Sequence, residues 1–595
     1  MSRKSLAGAF SLAVAALGCA VVLQSQGFGQ AQGLEGVWGA KRHFGPEVQG
    51  KLEILRDDQN CRAIIAQYNV ECVHHNQRIS FDLPSDKGSF TGRLQENGAV
   101  IRGFWIQPPT VNTGAKFASP VVLRSKGKDD WQGEVVPLQN EFTLYLVVSR
   151  RPDGSMGAFI RNPDRNIGVL WKVDRLEQDG NRIKLVGQPT EQKPGRVFAE
   201  GIYHPDDNRI SLYTNRGGTY DFEPVSDDSS FYARGKNPTP YEYRPPIAEG
   251  DGWKVGRLEE VGMERGPIAE LVHTIDSVPA KSVHDPYVHG FLVARHGKLV
   301  AEEYFYGFSK FKPHDTRSAS KSVTATLFGA VMENGAKLSP STKVYDLLYQ
   351  GKLPDDIDPR KKEMTVEHLL TMSSGYDCDD SNGSRPGSED VLLDEQKDPD
   401  YYRYTLQLPL DPKLKPGQEA VYCSINPNLV GDVIATAANK PLPELFSDLL
   451  AGPLQLRDYH LYLQPTGEPY MGGGIYWLPR DFMKFGQLML NGGVWNGKRI
   501  VGKEYEARAS SPLVTIRGTT KKYGYLWWVA DFPYRDRTVR SYYADGNGGN
   551  YVLVFPELDM VVAFNAGNYA DHAVRVILNE YVPKFILAAL KDESR

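Results

Sequence analysis

Short runs in which apolar and polar residues alternate dominate the chain from about residue 34 to residue 245. Examples are QGKLEILRD, AVIRGFWIQ, FTLYLVVSR, RIKLVGQ and NRISLYTN. Turn sequences such as PDG, QDGN, HPDDN and NRGG separate these runs. Alternation with a period of two is the pattern of a β-strand with one buried face. The spacing of the runs therefore predicts an all-β sandwich or barrel.

Two similar sequences, LEGVWGA near Leu34 and DDWQGEV near Asp129, each open a series of predicted strands. They suggest that the β-rich region has two halves, residues 33–128 and residues 129–245. The adjacent histidines in CVHHNQ are a weak metal candidate, because neighbouring residues on a strand point to opposite faces. We interpret them as a solvated or hydrogen-bonded pair.

The pattern changes after residue 245. The stretch GKNPTPYEYRPPIAEGDGW is rich in proline, glycine and charge, and it predicts a linker over residues 246–269. HGFLVARHGKLVAEEYFYGF then predicts a hairpin with its turn at His296 and Gly297. Helical patterns follow, and strands return near the C-terminus. Strands at both ends with helices between them predict one α+β domain over residues 270–595, whose first and last strands share a sheet.

The chain has 595 residues and a formal net charge of −4, which suits several globular domains. No basic block interleaved with aromatic residues occurs, so nucleic acid is not an expected partner. Arg3 and Lys4 precede the apolar run LAGAFSLAVAALGCAVVL. This pattern predicts a signal peptide over residues 1–32 and a periplasmic or secreted protein. Membrane contact is expected only if the segment is retained as an anchor.

Removal of the signal peptide would leave four cysteines: Cys61, Cys72, Cys378 and Cys423. An even number in an oxidising compartment permits two disulfides. Cys61 and Cys72 flank RAIIAQYNVE, an alternating run that suits one side of a hairpin. The spacing does not fix the pairing, and buried free thiols are the alternative.

The stretch TRSASKSVTATLFGAVMENG, residues 316–335, carries the first candidate chemistry. Apolar residues recur at helical intervals after its start, namely Val323, Leu327, Phe328, Val331 and Met332. Residues three apart share a helix face, so Lys321 is expected beside the Ser318 hydroxyl. A lysine whose pKa is lowered by its surroundings can activate a serine. From this stretch alone, a capping serine with a solvated lysine is an equal alternative.

Further motifs follow in a fixed order. They are MTVEHLLTMSSGYDCDD, VYCSINPNLVGDVI, MGGGIYWLPRDFMKFGQLMLNGGVWNGKRIV, YGYLWWV and ADGNGGNYVLVFPELDMVVAFN. With this set, residues 270–590 resemble the serine hydrolases of the β-lactamase and penicillin-binding-protein superfamily. The nearest likeness is to the branch of class C-like esterases, D,D-peptidases and 6-aminohexanoate-dimer hydrolases. The resemblance implies an antiparallel sheet flanked by helices, a helical subdomain, and catalysis without a cofactor or a metal.

The resemblance also implies site residues. The Ser-x-x-Lys motif is matched by Ser318 and Lys321, and the Tyr-x-Asn or Tyr-x-Ser motif by Tyr422 and Ser424. Tyr422 is expected to move the proton, because a phenol near an ammonium can be stabilised as a phenolate and act as a general base. Ser424 is expected to contact the substrate, with a shorter reach than asparagine.

The third family motif, Lys-Thr-Gly or His-x-Gly on the strand lining the site, is altered in this chain. Asp545 or Ala544 stands where the basic residue is usual, which argues against efficient hydrolysis of penicillins or cephalosporins. Gly546 and Gly548 allow a ligand to approach the backbone closely. The resemblance implies that the amide of Asn547 joins that of the nucleophile in binding the oxyanion.

The resemblance brings the segments of Cys378 and Cys423 to one cleft, which implies a disulfide between them. The polar stretch over residues 380–410 then either forms the rim of that cleft or is a plain surface loop. We expect an exported serine hydrolase that cleaves a small ester or an amide or peptide bond through an acyl-enzyme on Ser318. A β-lactamase or D,D-peptidase is the enzymatic alternative. A catalytically inactive binding or sensing module is the alternative of another class.

Overall fold

The computed structural model describes residues 33–57, 60–110, 114–188, 195–214 and 217–591. The predicted signal peptide over residues 1–32 lies outside the described residues. In the described part of the chain, no helix combines the length and the apolar character needed to cross a bilayer.

The N-terminal half consists of a closed barrel and a second sheet. Its elements are β1 (Gly36–His43), β2 (Gly50–Arg56), β3 (Cys61–Ile65), β4 (Tyr68–Glu71), β5 (Val73–His75), β6 (Arg78–Asp82), β7 (Ser89–Gln95), β8 (Val100–Gln107), β9 (Phe117–Gly127), β10 (Asp130–Val135), β11 (Glu141–Arg150), β12 (Met156–Arg161), α1 (Ile167–Trp171), β13 (Val173–Asp179), β14 (Arg182–Gly187), β15 (Val197–His204), β16 (Arg209–Thr214) and β17 (Gly218–Pro224). The barrel contains β1 and β11–β17, because β1 pairs with both β11 and β17. Strands β2–β10 form the other sheet.

The predicted division of this region at residues 128 and 129 is wrong. That boundary falls in the hairpin of β9 and β10, and β10 also pairs with β2. The sheet of β2–β10 is therefore an insertion between β1 and β11, and the barrel draws its first strand from before the insertion. The local alternation pattern correctly predicted strands, but it contains no information about this long-range pairing.

The C-terminal half contains a sheet covered by helices. Its elements are β18 (Lys254–Val255), α2 (Arg265–Asp276), β19 (Val288–Arg295), β20 (Lys298–Tyr304), β21 (His314–Asp315), α3 (Ser320–Glu333), α4 (Val344–Leu348), α5 (Val366–Leu370), α6 (Tyr401–Gln407), α7 (Ile425–Ala438), α8 (Leu442–Phe446), β22 (Tyr459–Tyr462), β23 (Tyr476–Trp477), α9 (Pro479–Leu490), β24 (Val494–Trp495), β25 (Lys498–Arg499), α10 (Lys503–Ala509), β26 (Val514–Thr515), β27 (Lys522–Tyr523), β28 (Trp528–Tyr534), β29 (Arg537–Gly546), β30 (Asn550–Phe555) and β31 (Met560–Ala566). A further helical segment, Ile577–Leu587, packs on α2.

The main sheet of this half has the strand order β18-β20-β19-β31-β30-β29-β28-β27-β26. The predicted hairpin is present as β19 and β20, and β19 also pairs with β31, so the first and last long strands share the sheet as expected. The predicted linker over residues 246–269 is too long. Strand β18 already joins this sheet beside β20, and α2 begins within the predicted linker. The C-terminal domain therefore begins near residue 254 rather than at residue 270.

Helix α3 is buried on almost every side. Every residue from Ser320 to Val331 is buried, whereas the sequence pattern predicted one apolar face. The reason is that α3 lies between α7 on one side and strand β29 on the other. A central helix of this kind places the residues at its start in the interior of the domain, where few water molecules can solvate them.

The two halves are joined by a shared ladder. Strand β22 of the C-terminal half pairs with the start of β9, with Leu461 opposite Ala118 and Tyr462 opposite Phe117. The same strand pairs with β23, which pairs with β21 just before residue 316. The inserted N-terminal sheet is therefore continuous with the strands that lead into the Ser318 region.

Candidate active site

Ser318 lies at the end of a cavity of about 270 Å³. The serine belongs to a 3₁₀ turn, Arg317–Ala319, that runs directly into α3. Arg317 has a left-handed backbone with φ of 47°, a conformation that is sparsely populated by residues other than glycine and is common at functional sites. The partial positive charge at the start of α3 favours negative charge on a group placed there.

Lys321 is the closest base to the Ser318 hydroxyl. Its Nζ lies 2.8 Å from Ser318 Oγ, and only 1% of the residue is exposed. Burial lowers the pKa of Lys321 below its ordinary 10.5, against the opposing effect of the Glu389 and Asp380 carboxylates. The lowered pKa increases the share of neutral amine near pH 7, and the neutral amine is the form that can accept a proton.

Tyr422 completes this group from the segment before α7. Lys321 Nζ lies 5.2 Å from the centre of the Tyr422 ring. The ring stacks on Trp528 at 5.4 Å and meets Tyr523 edge to face. Lys321 is therefore in contact with both other motif residues, and Ser318 is the one of the three that lines the cavity.

The electrostatics of Tyr422 differ from the sequence-based expectation of a phenolate. Burial raises the pKa of Tyr422 well above its ordinary value, and the Asp380, Glu389 and Asp545 carboxylates act in the same direction. A hydrogen bond with the Ser318 hydroxyl opposes this rise in pKa without reversing it. Tyr422 is therefore a neutral phenol at neutral pH, suited to donate a proton rather than to remove one.

Ser424 does not line the cavity. The residue is fully buried, and its backbone N–H and its hydroxyl both donate to Asp380 Oδ2, at 2.8 Å and 2.6 Å. The Ser424 hydroxyl is therefore bonded within the protein in this structure, and its substrate contact stays a prediction. Ser424 fixes the segment that carries Tyr422.

Asp380 and Glu389 are charged residues near the nucleophile that sequence reasoning missed. Asp380 Oδ1 accepts from the backbone N–H of Glu389 at 3.0 Å, and the Asp380 N–H donates to the Tyr422 carbonyl at 3.1 Å. Burial, with help from the Glu389 carboxylate, raises the pKa of Asp380 to about 7. The sequence did contain one signal for Asp380. The expected Cys378–Cys423 bond brings Asp380 close to Ser424.

Both disulfides are present. Cys61 bonds Cys72 across the hairpin of β3 and β4, and Cys378 bonds Cys423 immediately beside Tyr422. Two residues of the stretch 380–410, Glu389 and Leu393, line the cavity. This stretch therefore forms part of the cleft rim.

We predict that replacing both Cys378 and Cys423 by serine lowers stability and turnover together. The bond closes a loop with a sequence separation of 45, and its loss costs about 3–4 kcal/mol in the loop-entropy model. Misplacement of the Asp380–Ser424 contact is expected to lower kcat by about tenfold as well. Thermal melting and ester hydrolysis measure the two effects.

The matched control replaces Cys61 and Cys72 by serine. That bond has a sequence separation of 11 and lies in the inserted sheet. The control is expected to lower Tm without a change in kcat. Equal kcat values for the two double variants would show that the Cys378–Cys423 bond does not position Tyr422.

The glycines at the end of β29 and just after it have different structural roles. A Cβ at Gly546 would lie 2.1 Å from the carbonyl oxygen of Thr316, so only glycine lets this strand approach the nucleophile turn. Asn547 lines the cavity together with Ser318, in keeping with its expected place beside the oxyanion. Gly548 does not line this cavity; it has φ of 94° and faces the Tyr569 ring.

Asp545 stands where the family motif has a basic residue. It is the last strand residue before Gly546, and its nearest cationic partner in the described structure, Lys521 Nζ, lies 4.0 Å away. Burial raises the pKa of Asp545. The strand beside the nucleophile therefore offers an acidic group where a cation was usual.

A Ser-His-Asp arrangement away from Ser318 is structural. A His460 ring nitrogen lies 2.8 Å from Ser119 Oγ, and the other lies 3.1 Å from an Asp458 oxygen. Ser119 is fully buried in β9, so no substrate carbonyl can reach its hydroxyl. The contact holds β9 against β22, and His460 is a structural residue.

Residues 288–576 match the family model described as Beta-lactamase. This match, together with the sheet and the helices of the C-terminal half, assigns a β-lactamase-like domain to residues 288–576. A more particular relative is the 6-aminohexanoate-dimer hydrolase of Paenarthrobacter ureafaciens. It is 27% identical over 257 residues, which cover 40% of this chain and 63% of the relative. The chain thus spans less than two thirds of that relative's length.

Solved structures with a similar fold carry related descriptions. A putative 6-aminohexanoate-dimer hydrolase from Bacillus anthracis has 18% identity and a TM-score of 0.42, covering 50% of this chain and 78% of its own. A putative beta-lactamase from Bacteroides dorei has 19% identity and a TM-score of 0.44, covering 55% of this chain and 99% of its own.

Proposed function

We propose that this protein is an exported serine hydrolase that cleaves a small ester or an amide or peptide bond through an acyl-enzyme on Ser318. The observation that carries the proposal is the 2.8 Å contact between Ser318 Oγ and Lys321 Nζ, at the end of an open cavity and beside a lysine whose pKa is lowered by burial. A nucleophile within hydrogen-bonding reach of an activated base is the arrangement that covalent catalysis needs.

The first half-reaction forms the acyl-enzyme. The neutral amine of Lys321 takes the Ser318 proton while Oγ forms a bond to the substrate carbonyl carbon. The backbone amides of Ser318 and Asn547 hold the oxyanion. On collapse, the bond from the carbonyl carbon to the leaving oxygen or nitrogen breaks. The Tyr422 phenol donates a proton to the leaving group and regains one from the Lys321 ammonium. In the second half-reaction, water attacks the acyl-enzyme ester. Tyr422 takes a proton from the water and passes its own to Lys321, which returns it to Ser318 Oγ as the ester breaks.

An ester or a linear amide is the substrate class that we favour over a β-lactam. The relative from Paenarthrobacter ureafaciens is described as a hydrolase of the 6-aminohexanoate dimer, and such a dimer contains an amide bond. Asp545 replaces the strand cation that the resemblance would provide to bind the anionic group of penicillins and cephalosporins. β-Lactamase or D,D-peptidase activity remains the enzymatic alternative, and an inactive binding module is the other.

Intact mass spectrometry after exposure to a fluorophosphonate tests the proposal. The wild-type protein is expected to gain one adduct, and the Ser318→Ala variant is expected to gain none. A Ser320→Ala variant is the matched control, because this neighbouring serine is buried and bonds to Thr316 rather than to a base. Parallel incubation with a p-nitrophenyl ester, an amide and a cephalosporin ranks the substrate classes. Absence of an adduct on the wild type would favour the binding module.

Export is supported by the two disulfides, because such bonds persist in oxidising compartments and are rare in a reducing cytosol. Cell fractionation with an epitope tag at the C-terminus measures the location. A protein found entirely in the cytosol with free thiols would contradict this part of the proposal.

A further inference from the structure

One wall of the active-site cavity is built across the junction of the two halves of the chain. The ring of Phe117, from the inserted sheet, lies 5.5 Å from the Tyr476 ring and 5.7 Å from the Tyr462 ring. The Tyr462 ring in turn lies 5.6 Å from the Tyr470 ring. All four side chains line the same cavity as Ser318. We call Phe117, Tyr462, Tyr470 and Tyr476 the aromatic wall.

The aromatic wall has opposite charges at its two ends. Arg165, from the connection between β12 and α1 of the barrel, donates from Nη2 to the Tyr476 hydroxyl at 2.8 Å. At the other end, the Tyr470 hydroxyl donates to Glu389 Oε1 at 2.7 Å. Arg165 and Glu389 both line the cavity. A ligand lying along the wall therefore meets a guanidinium at one end and a carboxylate at the other.

The end of the cavity at Arg165 has an excess of positive charge. Asp315 Oδ2 lies 3.5 Å from Arg165 Nη1 and 3.0 Å from Arg317 Nε, so one carboxylate faces two guanidiniums. The adjacent Asp164 has Lys312 as its own counter-charge, at 3.7 Å. Two guanidiniums therefore face one carboxylate at this end, and Glu389, the fourth charged residue of the lining, also attracts Arg317. Charge–charge attraction is strengthened in such a partly buried site.

We propose, building on the serine hydrolase activity proposed above, that Arg165 determines specificity by binding a carboxylate on the substrate. The apolar part of such a substrate would lie against the aromatic wall, with its reactive carbonyl at Ser318. The β-rich N-terminal half thus completes the active site by supplying Arg165 and Phe117. Strand β29 carries Asp545 where a basic residue was expected. Arg165 of the barrel therefore provides a cation that this strand lacks.

A second cavity gives room beyond Arg165. It has a volume of about 380 Å³, lies between the barrel and the C-terminal domain, and shares Arg165, Asp315 and Tyr476 with the first cavity. Arg165 therefore stands at the passage between the two cavities.

A matched pair of esters tests this inference. The p-nitrophenyl ester of hexanoic acid and the mono-p-nitrophenyl ester of adipic acid have the same acyl length and the same leaving group, and only the second ends in a carboxylate. Wild type is expected to prefer the adipate ester in kcat/KM. Arg165→Gln is expected to reduce the adipate-to-hexanoate ratio by roughly ten- to hundredfold, mainly through KM, because a charged hydrogen bond to the substrate is lost. Arg165→Lys should restore part of the ratio.

Two controls separate recognition from structure. Tyr476→Phe removes the Tyr476–Arg165 bond but keeps the charge, so the preference for adipate should persist. Arg182→Gln changes an exposed arginine on barrel strand β14 and should leave the ratio unaltered. An equal fall for both esters in Arg165→Gln, or no preference for adipate in wild type, would overturn the inference while fluorophosphonate labelling of Ser318 still supported the hydrolase. Absence of labelling would overturn both.

Discussion

Replacing Lys321 by methionine is expected to lower kcat/KM for a p-nitrophenyl ester by at least about 1,000-fold. Lys321 Nζ is 2.8 Å from the Ser318 hydroxyl and is the nearest base to it. Methionine has a similar length and fills the buried space, but it accepts no proton. Labelling of Ser318 by a fluorophosphonate should slow by a comparable factor, because the same proton must leave the serine.

The pH dependence of the wild type provides a second test of Lys321. The amine must be neutral to act, and burial lowers the pKa of Lys321 below 10.5. The rate of ester hydrolysis is therefore expected to rise with pH, with a midpoint below 10.5, and to reach a plateau above that midpoint. In the Lys321→Met variant the residual rate should lose this dependence. A rate that falls as pH rises through this range would contradict the role of a neutral amine.

Lys361 offers a matched control for a buried lysine. Burial lowers the pKa of Lys361 too, but its Nζ bonds the Leu406 carbonyl, and the residue does not line the cavity. Lys361→Met is expected to change kcat/KM by no more than about threefold under conditions where both variants are folded. If Lys361→Met lowered kcat/KM as much as Lys321→Met does, disturbed packing rather than a missing base would explain the Lys321→Met result.

Replacing Tyr422 by phenylalanine is expected to lower kcat/KM, which reports the acylation step, by about 100- to 1,000-fold for an alkyl ester or an amide. Phenylalanine keeps the stacking on Trp528 and removes the only atom that can transfer a proton. Burial raises the pKa of Tyr422, so we expect the neutral phenol to donate its proton to the leaving group. The loss should therefore be much smaller for a p-nitrophenyl ester, because p-nitrophenolate leaves without a proton.

This dependence on the leaving group separates the two possible roles of Tyr422. Equal losses for the alkyl ester and the p-nitrophenyl ester would show that Tyr422 removes the Ser318 proton, as the sequence motif first suggested. Tyr523→Phe is the control, because this buried ring touches Tyr422 edge to face, whereas the hydrogen bond with Ser318 belongs to Tyr422. It should alter neither rate by more than about threefold.

Local sequence features predicted the centre of the site well. Helical spacing placed Lys321 beside Ser318, alternation around the turn at His296 and Gly297 predicted the hairpin, and the ordered motifs indicated the C-terminal fold. These features depend on residues close together in the chain, or on a family pattern that spans the domain. Their physical determinants are contained in short segments.

Arg165 and Phe117 had no comparable signal. They reach the cavity because β9 pairs with β22 across more than 300 residues of sequence, and neither residue is part of a motif. The protonation state of Tyr422 was equally inaccessible, because it depends on burial and on the Asp380 carboxylate. Long-range docking and desolvation are properties of the assembled fold, so the sequence pattern alone could not supply them.

The ladder between β9 and β22 determines where the chain of this protein can be truncated without opening the cavity. The family match begins at residue 288, yet two residues that line the cavity are Phe117 and Arg165. A gene fragment trimmed to the matched segment would retain Ser318, Lys321 and Tyr422 but would leave the edge of β22 unpaired and one end of the cavity open to water. The unit defined by the family match is thus smaller than the unit that forms the cavity, and substrate screens on trimmed fragments would report on a cavity with a different lining.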